Sequence, residues 1–101
     1  MDPEIPDLII SDVVISTAGR DQGELFYVIG TDPVYLLLAN GKDRTLDKPK
    51  RKKRKHVRKA LRPETRVAAK LRAGDKVLNS ELRRDLAFLS RAMQANDLGG
   101  L

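Results

Sequence analysis

Asp12-Val-Val-Ile-Ser-Thr-Ala-Gly-Arg-Asp-Gln-Gly-Glu24 is the stretch on which the fold turns. Its first part is rich in β-branched residues and too short for a convincing helix, so a strand is expected over Ser11–Ser16. The chain then enters a loop with glycines at 19 and 23. Glycine at these positions lets the backbone turn left-handed and approach another backbone closely. Amides exposed in such a turn, with Arg20 projecting, make a small anion-binding concavity. Asp21 is expected to accept hydrogen bonds from the loop amides, since a carboxylate repels a phosphate. The plainer reading of the same loop is an ordinary hairpin turn.

On the C-terminal side, Glu24-Leu-Phe-Tyr-Val-Ile-Gly30 reads as a second strand and Val34-Tyr-Leu-Leu-Leu-Ala39 as a third, with Thr31-Asp-Pro33 turning between them. Asn40-Gly41 is the signal of a type I′ hairpin, whose two central residues both need positive φ. Arg44-Thr-Leu46 is expected to return as a short fourth strand, and Pro49 to take the chain out of the sheet or place it on an edge. A fifth strand near His56-Val57 would complete the set. Several short strands with glycine-rich turns suggest a small barrel or a sandwich.

After Leu61 the pattern changes. Pro63 and Glu64 suit the first turn of a helix, Val67, Ala68 and Leu71 recur at helical spacing, and Gly74 is placed to end it. Asn79 or Ser80 is expected to cap a second helix, with Glu81 in its first turn. Leu82, Leu86, Leu89 and Met93 form one apolar stripe, and Phe88 lies off it. The division expected is a loose lead-in over 1–10, a β domain over 11–59, a two-helix extension over 60–96 and a flexible tail over 97–101.

Between the two patterns lies Lys48-Pro-Lys-Arg-Lys-Lys-Arg-Lys-His-Val-Arg-Lys59, in which every charged residue is basic. A core cannot hold so many cations unpaired, so the run is expected to be solvated and to order only against an anion. A polyphosphate backbone is the commonest such anion; a charged linker or a targeting patch is the plainer reading. The chain's formal charge of +6 belongs to this middle, because the first dozen residues carry only acids. There is no cysteine, which removes disulfides and thiol chemistry, and the opening residues resemble no leader peptide. No stretch is apolar for long enough to span a bilayer, so a cytoplasmic protein is expected.

His56 is the only histidine. Its neighbours Lys55 and Arg58 disfavour its charged form, leaving a half-buried ring or a neutral donor to a phosphate or sugar. Nothing beside it supplies a nucleophile and an orienting acid, or further metal ligands, so no catalytic residue and no metal or other cofactor is expected.

The segment Asp12–Glu24, with Gly19-Arg-Asp-Gln-Gly23 its most specific part, resembles the KOW motif of ribosomal proteins and transcription elongation factors. Asn40-Gly41, Arg44, Leu46, Lys48-Pro-Lys50 and Lys55-His56 follow the order seen in KOW-bearing ribosomal proteins of the archaeal and eukaryotic large subunit. The helical end is similar to that of small bacterial KOW-domain RNA-binding proteins. Many relatives carry glycine where this chain has Ser11, and a basic residue where it has Glu24. The resemblance implies a mainly β protein, a five-stranded SH3-like barrel followed by two C-terminal helices.

The function implied is RNA binding without catalysis, to ribosomal or another structured RNA, in association with the ribosome and translation. The residues expected to meet RNA are Gly19, Arg20, Gly23, Arg44, Lys48, Lys50, Arg51, Lys52, Lys53, Arg54, Lys55, His56, Arg58 and Lys59. If about five to eight cations meet phosphates, affinity should fall steeply with salt. Four aromatics make base stacking a minor theme. A KOW-type protein-docking module is the alternative.

Overall fold

The computed structural model describes residues 7–99. Five strands, β1 (Val13–Ser16), β2 (Leu25–Thr31), β3 (Tyr35–Ala39), β4 (Lys50–Lys53) and β5 (Val57–Leu61), precede two helices, α1 (Arg66–Ala73) and α2 (Asn79–Gly99). The strands form one sheet in the order β4-β3-β2-β1-β5, with every neighbouring pair antiparallel. No helix among the described residues is long and apolar enough to cross a membrane.

The sheet is strongly bent. β4 and β5 lie at its two edges, yet only the 3-10 turn Arg54–His56 separates them in sequence. Four residue steps reach at most about 14 Å, whereas opposite edges of a flat five-stranded sheet would stand about 19 Å apart. Register shifts at Val13/Val14 and Val28/Gly30 supply local bends.

β1 and β2 are covered on both faces, which is why they read as unbroken apolar runs. Val14, Phe26, Val28, Leu36, Leu38 and Val57 pack with Leu8 into one core that no helix enters. Val13, Tyr27 and Ala39 point the other way and meet Val67, Ala68, Leu82, Leu86 and Leu89 of the helices. Leu82, Leu86 and Leu89 of the stripe foreseen on the second helix therefore pack in this core, while Met93 is half-buried outside it and Phe88 is 55 % exposed.

Several expected details give way. The Arg44–Leu46 segment is no strand; it holds a single bridge between Thr45 and Lys48. The fourth strand is the basic run itself, Lys50–Lys53, paired with β3. The Asn40-Gly41 turn is not type I′, because Gly41 has φ +77° but Asn40 does not have positive φ. The Asn40 side chain closes it instead, its Oδ1 accepting from the amides of Lys42 and Arg44, both at 3.0 Å. Gly41 is required for a second reason: a Cβ there would fall 2.3 Å from the Asn79 carbonyl oxygen, where α2 begins.

The first helix starts later than Pro63, with Thr65 as N-cap accepting from the Ala68 amide at 3.2 Å; Gly74 ends it at φ +75° as expected. Asn79 spends its side chain on the Leu46 amide (2.8 Å) rather than on a cap, and Glu81 accepts from the Leu78 amide (3.0 Å) at the start of α2. α2 is helical through Gly99, past the expected end at 96; residues 100–101 and 1–6 lie outside the described part.

Ser11 is buried with φ +87°, the only described non-glycine residue with positive φ.

Candidate nucleic-acid interface

The loop and the basic strand meet. Gly19 (φ +85°) and Gly23 (φ +90°) adopt the left-handed backbone that their spacing suggested. The loop closes on itself through backbone bonds from Gly23 to Ser16 (2.8 Å) and from Glu24 to Asp21 (2.9 Å). It is tied to β4 by Lys52, whose Nζ donates to the Ala18 carbonyl at 2.7 Å and to Asp21 Oδ1 at 2.5 Å. Lys50 Nζ forms an ion pair with Asp21 Oδ2 at 2.8 Å, and Ser16 Oγ lies 2.7 Å from Oδ1.

Asp21 thus takes lysine ammonium groups and a serine hydroxyl, not the loop amides expected for it. Burial pushes its carboxyl pKa up, but Lys50, Lys52 and Ser16 together outweigh burial and hold it well below the usual carboxylate range. The arrangement follows from strand alternation. Lys50 and Lys52 stand opposite Leu38 and Leu36, so they share the face of the helix-free core. Lys52 buries its stem there, and its head reaches the one acid within range. The expectation that the whole run is solvated fails at this residue, which is 7 % exposed.

Arg51 and Lys53 point the opposite way and are exposed. Their cross-strand partners are Leu37 and Tyr35. The Arg51 guanidinium lies over the Tyr35 ring, 3.6 Å from its centroid, a stacked cation–π pair. Ala18, Gly19, Tyr35, Lys50, Arg51, Lys52, Lys53 and His56 line one shallow hollow of about 350 Å³, with no acidic side chain in its wall. His56 is half-buried at its end, and its carbonyl accepts from the Thr17 amide at 2.9 Å. Arg54 is half-buried, its Nε donating to the Asp32 carbonyl at 2.8 Å.

Arg20 lies elsewhere. It lines a smaller hollow of about 210 Å³ with Arg44 and Lys50, but also with Asp21, Glu24 and Asp43. Arg20, Arg44 and Lys48 are exposed, as are Lys55 within the 3-10 turn and Arg58 and Lys59 on β5 beyond it. Most of the sequence-derived residues therefore fall into three groups, a cation-only hollow around Arg51, a mixed-charge hollow around Arg20, and an exposed flank over Lys55, Arg58 and Lys59, while Gly23, Lys48 and Arg54 stand outside them.

Two residues that matter here carry no signal in the chain read linearly. Tyr35 looks like a core aromatic of a strand, and only pairing with β4 shows it as the support of Arg51. Arg62 escapes notice at the end of β5, yet its Nε and Nη2 grip the buried Asp12 at 2.7 and 3.1 Å and fix the segment before β1.

Among the described residues no group of three or more His, Cys, Asp or Glu side chains could hold a metal ion. Comparisons with models of known families and with curated proteins find no match to this chain.

Proposed function

We propose that this chain is a non-catalytic RNA-binding protein of the KOW, SH3-like type, acting on the phosphate backbone of structured RNA, ribosomal RNA foremost, alongside the translation machinery. The observation that carries this reading is the acid-free hollow in which Arg51, stacked on Tyr35, stands beside Lys53, His56 and the Gly19 backbone. A guanidinium held over a ring is restrained before a ligand arrives, so less ordering entropy is lost on meeting a phosphate or a base face. The bent five-stranded sheet, with edge strands joined by a three-residue turn, supports a barrel of SH3-like closure.

Lys52 is assigned a structural task and the phosphate contacts go to Arg51, Lys53, Lys55, Arg58 and Lys59, with Arg20, Arg44 and Lys48 on the flank. The backbone geometry of A-form helices, rather than base identity, suits such a cation set. Fluorescence anisotropy with a labelled ribosomal RNA helix, titrated across salt, tests the reading. If about five of these cations meet phosphates, log affinity falls with log salt at a slope of roughly −4. Absence of binding at low salt, or affinity indifferent to salt, overturns it and leaves the protein-docking module in its place.

A further inference from the structure

The solvent face of α2 carries a second cationic and aromatic grouping, well separated in sequence from the strand-borne one. Arg84, Phe88 and Arg91 stand at i, i+4 and i+7, which places them on one helix stripe. All three are exposed, Phe88 at 55 %. With Val67, Glu81 and Asp85 they line an open hollow of about 390 Å³. An aromatic ring left in water at mid-helix contributes nothing to the core.

The two acids in this wall are already engaged within the fold. Glu81 accepts from Lys70 Nζ at 2.8 Å and from the Leu78 amide at 3.0 Å. Asp85 accepts from the buried Tyr27 hydroxyl and from Thr65 Oγ1, the latter at 2.8 Å. Lys70 neutralises Glu81, whereas Asp85 is held by neutral hydroxyls and keeps its charge; Arg84 and Arg91 make no ion pair or hydrogen bond among the described residues, so two guanidinium groups stand against one carboxylate and the hollow is net positive.

We infer that this stripe is a second RNA contact, which takes an unpaired nucleotide beside a helical region: the base stacks on Phe88, and the flanking phosphates meet Arg84 and Arg91. The inference rests on the RNA-binding reading above and extends it from backbone contact to the capture of an unstacked base. Stacking on an aromatic is sequence-tolerant and is disrupted by removal of the ring.

The test uses the full chain and two labelled probes, an RNA hairpin with a single-stranded uridine tail and the same hairpin blunt-ended. Phe88→Ala should weaken binding of the tailed hairpin roughly five- to a hundredfold and leave the blunt one unchanged, while Phe88→Tyr should bind both as the native chain does. Arg84→Gln with Arg91→Gln should flatten the salt slope on the tailed probe by about 1.4. If the native chain binds the tailed hairpin and Phe88→Ala binds it equally well, this inference falls and the RNA reading stands. If the native chain binds neither probe, both fall. If Phe88→Ala abolishes self-association in sedimentation with RNA affinity untouched, the stripe belongs to a second copy of the chain and the inference is overturned.

Discussion

Lys52 Nζ stands 2.5 Å from Asp21 Oδ1, and only 6 % of the lysine side chain is exposed. One residue of the cationic run is therefore part of the interior, and it fastens the glycine loop to β4. Taking away one partner of a buried pair leaves the other uncompensated. Lys50 keeps part of the compensation, so Lys52→Ala should cost about 2 to 3 kcal/mol and lower Tm by roughly 10 °C or more. Lys53→Ala should change Tm by no more than a degree or two. Equal melting of the two variants would show that the buried pair contributes nothing.

The same carboxylate sets an acid response. A carboxyl whose pKa is depressed in the fold contributes stability that is fully present above the unfolded value of about 3.9, and loses it as pH falls below that value toward the depressed one. Urea midpoints measured from pH 7 down to pH 3 should decline for the native chain at the acid end. Asp21→Asn should start lower at pH 7 and decline less. Parallel curves would contradict the assignment.

Arg51 and Lys53 should separate binding from folding. Arg51→Gln with Lys53→Gln should leave thermal melting unchanged, weaken RNA binding and flatten the salt slope by about 1.6. A large loss of Tm without loss of RNA affinity would mean that the stacked guanidinium only holds the strand.

Ser11→Gly should stabilise the protein. The serine is held at φ +87° and its buried hydroxyl has no hydrogen-bond partner among the described residues. Glycine removes both penalties and adds some unfolded-state entropy, for a net gain of about 1 kcal/mol. Chemical denaturation checks it, and a loss of stability would reveal a task for the hydroxyl.

Gly41→Ala should do the opposite. The added Cβ meets the Asn79 backbone at 2.3 Å, and the φ of +77° resists a side chain as well. A loss of about 2 kcal/mol or more is expected, read as a lower Tm and weaker protection of α2 in hydrogen exchange. Native-like behaviour would mean that α2 can dock without this close approach.

Much of this was legible in the chain. The apolar runs of β1 and β2 announced strands because strands covered on both faces need no polar alternation, and β3 is apolar too although Leu37 is 40 % exposed. Gly19, Gly23 and Gly74 announced positive φ because few other residues adopt it. The fourth strand was not legible. Lys50–Lys53 has no apolar residue and reads as solvated, yet it pairs with β3 and its edge position tolerates charge. The interaction that makes this possible joins residues 31 positions apart, and nothing local in either segment advertises it. The stacked pair of Arg51 and Tyr35 was hidden for the same reason, since both partners acquire their meaning only through strand register.

The placement of the cationic run in the sheet has a consequence for how the chain meets a protease. Lys50 to Lys53 is the densest cluster of trypsin targets, but a peptide bond held in a ladder with β3 reaches a protease cleft only after that ladder opens. Cleavage there therefore reports the opening of the β4 edge rather than the abundance of lysine.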